Sequence, residues 1–219
     1  MRKAFSLIEL SVVIIIIGLL TASIIAGVGV VKSAKTRALV NDLKEYETSY
    51  YAFYSTYSGF PGDIVNASYF WSGAINGDDD GFIAYISGNA TEEFANDWTH
   101  LSLAEFTPAD YSALEYPEAE DGIIKYVMIY YSSMHSESGN SITIETENFA
   151  GIITPLEAYQ LDCKIDECSP TIGSILIDNG DGVTGSSSTC LNASNQLNTK
   201  DVHTDECRVI MWLDWYLIF

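Results

Sequence analysis

The chain has 219 residues, enough for one domain plus a segment or for two small domains, and 47% of them are hydrophobic, too many for a disordered polymer. Thirty acids against ten bases leave a net charge of −20. That balance excludes nucleic-acid binding driven by phosphate neutralisation and disfavours anionic lipid headgroups as a partner for the bulk of the chain. The charges are also segregated. Six of the ten bases (Arg2, Lys3, Lys32, Lys35, Arg37 and Lys44) lie in the first 44 residues, whereas from Glu45 onward 4 bases stand against 28 acids, a net of −24. A basic-flanked N-terminal segment therefore leads into an acidic body that attracts cations.

Residues 5–31 form a 27-residue stretch with one charged residue, Glu9. As a helix it is roughly 40 Å long, enough to cross a bilayer with some tilt. Bases flank both ends, so counting charges does not orient it. A secretory signal peptide has a shorter apolar run with small residues after it; here the small residue, Ala4, comes before. An isolated carboxylate in such a helix is costly. It either snorkels to the interface or is paired and functional. The sharper reading gives Glu9 a cation supplied by another copy of the chain.

The run Met1-Arg2-Lys3-Ala4 followed by Phe5-Ser6-Leu7-Ile8-Glu9-Leu10 resembles the prepilin cleavage and methylation signal of type IV pilins and type II secretion pseudopilins. The resemblance implies removal of leader 1–4 by a prepilin peptidase between Ala4 and Phe5, and N-methylation of Phe5. It also implies pairing of Glu9 with the Phe5 amine of a neighbouring subunit during filament assembly. A carboxylate in lipid is tolerable once paired with that ammonium. Two positions depart from the pattern. Ala4 stands where the family usually has Gly before the cut, and Ala26 stands where major pilins often carry Pro. The missing Pro leans toward a minor pilin or pseudopilin.

Beyond Val31, Leu39, Leu43, Tyr46, Tyr50, Tyr54 and Tyr57 recur at spacings of three and four. They predict an amphipathic continuation of the helix over 32–58, its stripe packed on the globular body, ended by Gly59, Pro61 and Gly62. Phe60-Pro61-Gly62-Asp63, Asn66-Ala67, Trp71, the loop 76–81 and Trp98-Thr99-His100-Leu101 follow in an order that also resembles pilin-like proteins. This looser likeness covers 60–106 and 154–173, with a short helix near 98–106. Residues 123–131 and 141–147 read as strands around a Ser138-Gly139-Asn140 turn. Thr154-Pro155-Leu156-Glu157 is a helix start, with Thr as the cap and Pro at the first helical position, and the helix runs to about Ile165. Residues 172–177 and 208–219 are further strands. The fold class is α+β: a long N-terminal helix packed on an antiparallel sheet, which is the pilin-like layout that the resemblance implies.

Asn76-Gly77-Asp78-Asp79-Asp80-Gly81-Phe82-Ile83 is the best ligand candidate. Calcium takes six to eight hard oxygens, and Asn76, Asp78, Asp80 and the Phe82 carbonyl fall at positions 1, 3, 5 and 7 of an EF-hand-like loop, with Gly81 at 6. Position 12 is Ser87 rather than Glu, so Glu92 or Glu93 would have to substitute by another path. The alternative is a solvated Asp/Gly turn. The resemblance favours calcium, which supports the fold of several pseudopilins. A second loop, Asp178-Asn179-Gly180-Asp181-Gly182, reads as a plain turn.

Four cysteines (Cys163, Cys168, Cys190 and Cys207) lie in the last 57 residues. Their even count in one region points to disulfides and an oxidising compartment. Zinc with His203 is the rival, but the spacings lack paired short knuckles. Three pairings are open on the sequence alone; Cys163–Cys168 would close a small loop at a helix end, and the pilin resemblance implies Cys190–Cys207. No catalytic motif surrounds His100, His135 or His203, so the chain does not read as an enzyme.

The resemblance thus implies a filament subunit that is inserted in the inner membrane with its C-terminal body outside the cytoplasm. Its implied partners are other pilin or pseudopilin subunits, the prepilin peptidase, an inner-membrane assembly platform and membrane lipid. The alternative is a membrane-anchored extracellular module for calcium-dependent binding or adhesion that never polymerises.

Overall fold

The computed structural model describes residues 7–84, 93–107, 111, 117, 126–134, 137–145, 151–179, 190–192, 194, 196–198 and 207–213. Ala4 and Phe5 lie outside these residues, as do Ser87, Glu92, His135, His203, the 180–182 part of the second acidic loop and the 214–219 end of the last expected strand. The chain divides into two compact units, Met1–Ala38 and Leu39–Phe219.

Helix α1, Leu7–Tyr57, runs through both units without a break. From Leu7 to Val31 every described side chain is exposed, and none of the apolar window is buried. This helix is long and apolar enough to cross a membrane. Its few hydroxyls are satisfied internally: Ser11, Thr21 and Ser23 donate to the carbonyls of Ile8, Ile17 and Leu19 at 2.9, 3.0 and 2.8 Å. That arrangement leaves no hydroxyl unsatisfied in lipid.

The second half of α1 buries the expected stripe. Leu43 and Tyr50 are in the core, while Leu39, Tyr46, Tyr54 and Tyr57 pack against it. The deepest member of that face is Phe53, fully buried, which the tyrosine pattern passes over. Ser58, in the left-handed region at φ 58°, ends the helix.

Two helices follow, α2 (Ala67–Phe70) and α3 (Glu93–Leu103), the latter beginning five residues before the expected 98–106. Strands β1 (Tyr126–Met134) and β2 (Glu137–Glu145) precede α4 (Pro155–Ile165), β3 (Ile175–Asp178) and β4 (Arg208–Trp212). The sheet is antiparallel in the order β1-β2-β4-β3. Helix α4 starts where the sequence places it. Thr154 Oγ1 accepts from the Glu157 N–H, and Glu157 Oε2 accepts from the Thr154 N–H, a reciprocal cap.

Residues 138–140, expected to turn, lie inside β2, where Gly139 pairs with Ser132 and Asn140 with Tyr131. Asn140 has partners outside its own hairpin. Its Oδ1 accepts from Ile83 N–H at 2.9 Å, and its Nδ2 donates to Tyr50 Oη at 3.0 Å and Gly81 O at 3.1 Å. These bonds use the amide that a local Asx turn would have needed.

Alternation splits the sheet into two faces. Ile142, Ile144, Val209, Met211, Ile175 and Ile177 join the main core with α1, α3 and α4. The other face carries Leu176, Ile210 and Trp212 together with a buried ion network. There Arg208 holds Asp178 through two bonds of 2.9 and 2.6 Å and reaches Glu145 at 3.3 Å.

All four cysteines are in disulfides, Cys163–Cys168 and Cys190–Cys207, which removes the zinc alternative.

Candidate metal centre

The site is assembled from three segments. The first is the turn after α1, where the Asp63 and Ile64 N–H groups both donate to Phe60 O at 3.2 and 3.1 Å. The second is the 76–84 loop, tied onto that turn by Gly77 N–H to Ile64 O and Asp79 N–H to Asp63 O, both 2.9 Å. The third is the first turn of α3, which carries Glu93.

Two glycines make this packing possible. Gly62 has φ +86°, and a Cβ there would meet the Glu93 carbonyl; a Cβ at Gly77 would meet the Asp63 backbone.

Asp63, Asp78, Asp80 and Glu93 converge, one carboxylate oxygen of each lying within 4.8 Å of the others. Asp63 and Glu93 are buried, whereas Asp78 and Asp80 are exposed. The buried pair is held by main-chain donors. The Asp80 and Gly81 N–H groups donate to the two Asp63 oxygens at 3.1 Å each, and the Asp78 and Ala84 N–H groups donate to Glu93 at 3.0 and 2.9 Å. The loop carboxylates brace their own turns, Asp78 Oδ1 accepting from Asp80 N–H and Asp80 Oδ1 from Phe82 N–H. Each oxygen engaged this way keeps a second lone pair.

Burial, with the neighbouring charges of Asp80 and Asp79, pushes the Asp63 carboxyl up to about 6 against the pull of the Gly81 and Asp79 amides. Burial likewise pushes Glu93 up to about 7, helped by Asp63 and Asp78 and opposed by the Ala84 and Asp78 amides. Four carboxylates this close repel one another when ionised, and a divalent cation among them relieves that repulsion. The oxygen-only donor set could hold a metal ion, and it fits a hard one.

His100 ties two of the three segments together. Gly62 N–H donates to its Nδ1 at 2.8 Å, so Nδ1 is the acceptor and Nε2 carries the hydrogen that reaches Ile75 O at 2.9 Å. The ring is fully buried against Phe53 and Trp71. Burial pushes it down to about 4.

The expected ligands divide. Asp78 and Asp80 are in the cluster, and Glu93 joins them from outside the loop. Asn76 instead uses its Oδ1 to accept from Ser68 N–H at 2.8 Å. Phe82 is placed by its N–H on Asp80. The EF-hand-like register passes over Asp63, because a local template cannot see a carboxylate 13 residues before its first position, Asn76. The only trace in the sequence was its place in Phe60-Pro61-Gly62-Asp63. In the second acidic loop, Asp178 is held by Arg208, and Asn179 Oδ1 accepts from Leu191 N–H at 3.0 Å. Glu9 lies on the exposed first turn of α1.

No known protein family, curated protein or solved structure matches this chain.

Proposed function

We propose that this chain is a structural subunit, a minor pilin or pseudopilin, of a type IV pilus or type II secretion-like filament. The observation that carries the reading is the first half of α1, whose exposed aliphatic surface from Leu7 to Val31 contains one acidic residue, Glu9. A carboxylate near the end of an otherwise apolar helix is costly in lipid unless it reaches the interface or is paired. A helix that packs beside copies of itself can pair it with a neighbour's terminal ammonium, and a paired charge is tolerable in lipid.

In this reading the leader is cut between Ala4 and Phe5, and Phe5 is N-methylated. The helices then leave the inner membrane to pack laterally, while the acidic bodies face the periplasm or the extracellular space. The prepilin peptidase and an assembly platform are the partners in the membrane. Calcium is the metal of the Asp63–Asp78–Asp80–Glu93 cluster, because it accepts irregular, oxygen-only sets partly completed by water. Asp63 and Glu93 form its buried floor, and Asp78 and Asp80 close it from the solvent side.

The test is mass spectrometry of the mature N-terminus from membrane and sheared-filament fractions, for the natural protein and Glu9→Ala. N-methylated Phe5 is expected in both fractions of the natural protein, and only in the membrane fraction of the variant. An uncut Met1 terminus, or normal incorporation of Glu9→Ala into filaments, would overturn the assembly mechanism. An uncut terminus would leave a membrane-anchored binding module in its place.

A further inference from the structure

Helix α4 turns Pro155, Ala158, Leu161 and Asp162 inward. Three of these suit a core; the fourth is a carboxylate with no exposed surface. Five buried acids occur among the described residues: Asp63, Glu93, Asp97, Glu145 and Asp162. The first four accept at least one hydrogen bond, Asp97 from Trp98 N–H and Glu145 from Thr143 Oγ1 and Arg208. Neither oxygen of Asp162 has a partner. An ionised carboxylate so placed has lost its water and gained nothing in exchange.

Its setting deepens the problem. Asp162 lies in the last turn of α4, at the negative end of the helix dipole. Among the described residues, the ionisable groups of α4, the segment after it and β3 are Glu157, Tyr159 and the exposed Lys164 on the same helix, Asp166 and Glu167 in the following segment, and Asp178 at the end of β3, which Arg208 holds. Asp166 is the charge that acts on it, and it is of the same sign.

The segment 166–174 is fastened around this point. Cys163–Cys168 closes one end. At the other, the Asp166 carboxylate accepts from Ser174 N–H, Ser174 Oγ and Ile175 N–H. Pro170 O and Ser174 O then take the N–H groups of Ile177 in β3 and Trp212 in β4. The end of α4, the strap and the outer strand are therefore one fastened unit over a buried acid.

We propose that Asp162 is a proton-operated latch: its neutral form lets α4 and the 166–174 strap close on β3, and its ionisation opens them. Burial, with Asp166, holds the carboxyl up to about 6. With the folded value raised, the stabilisation is complete below the ordinary aspartate range and lost as pH rises through about 6. A carboxyl held near 6 when closed and free to return to its ordinary value of 3.8 when open corresponds to a roughly hundredfold increase in opening between pH 4 and pH 7.5, with little further change above.

The experiment is hydrogen exchange on the full-length chain in detergent micelles, read on peptides covering 155–178 and corrected for intrinsic exchange rates. The natural protein should lose protection there as pH rises across this range, while Asp162→Asn, a neutral isostere, should remove the slope and hold the protected state at pH 7.5. The same slope in both proteins would overturn the proposal. Should the variant fail to fold, carboxyl-carbon NMR titration of the natural protein decides. Titration of Asp162 near 6 with loss of 155–178 protection at the same midpoint supports the latch. Titration near 4, or protection that ignores the titration, ends it.

Discussion

The buried polar side chains of this protein differ less in type than in what supports them, and His100 shows the consequence. Its Nδ1 must stay unprotonated to accept from Gly62 N–H, and burial holds the ring down to about 4 against an ordinary value of 6.5. The unfolded chain therefore binds a proton that the folded chain refuses between those values. The stabilisation is complete above about pH 6.5 and is lost as pH falls toward 4, a loss of roughly 3 kcal/mol. Asp63 and Glu93 work in the opposite sense without metal. Their carboxyls are raised, to about 6 and about 7, so their contribution is complete at low pH and fades as pH rises. The two effects mask each other in the natural protein, and a difference measurement separates them. His100→Gln keeps an acceptor and a donor but cannot titrate. Urea unfolding at pH 7 and pH 4.5 should show the variant less stable at pH 7 and relatively better by roughly 2–3 kcal/mol at pH 4.5. A stability difference that does not change with pH would mean that the imidazole takes up its proton without losing the Gly62 bond.

At the scale of elements, the 76–84 loop has a defined main-chain path but four like charges at one point, so its stability depends on what neutralises them. Calcium at about a hundred times its dissociation constant adds about 2.7 kcal/mol, which for a domain of this size is roughly 5–10 °C in Tm. Asp78→Ala with Asp80→Ala should abolish the rise. It should move the metal-free Tm by only a few degrees, since relief of the repulsion on the buried pair offsets loss of the bonds from Asp80 and Phe82 N–H. Scanning calorimetry with calcium and with a chelator makes the comparison, and an unchanged Tm for the natural protein in excess calcium would remove calcium from the site. How much of this loop was legible in the sequence follows from distance along the chain. The alternating Asp78 and Asp80 are local and legible to a spacing template, and Glu93 is reachable as a substitute for the carboxylate missing at position 12 of the loop. Asp63 arrives only because the turn after α1 folds back under the loop, which no spacing rule encodes. The same contrast runs through the other elements. The α4 cap is written in four consecutive residues and was read correctly. The Ser138-Gly139-Asn140 turn does not form because Asn140 finds its partners on α1 and in the irregular 81–83 segment, far away in sequence. Where β3 begins depends on the Asp166 carboxylate capping Ser174 and Ile175, another contact without a sequence signature.

Over the whole molecule, the long apolar surface and nearly all of the acidic charge lie on different units. The acidic body carries its own core, from Leu43 and Phe53 of α1 to Val209 and Met211 of β4, and both disulfides. In the apolar half of α1, every described side chain from Leu7 to Val31 is exposed. The folding free energy of the body should then be independent of the apolar segment, because burial of apolar area is its main source and no described side chain from Leu7 to Val31 is buried. A chain of residues 32–219 should be soluble without detergent, kept apart by its negative charge, and should unfold in one cooperative transition. Its Tm should fall within about 2 °C of the full-length protein in neutral micelles, the difference expected when only exposed residues are lost. Circular dichroism melting of both proteins at the same pH and calcium concentration tests this. A truncated chain with no cooperative transition would show that the apolar helix supplies part of the core. It would then be unavailable to pack against other copies, and the filament reading would lose the surface on which it rests.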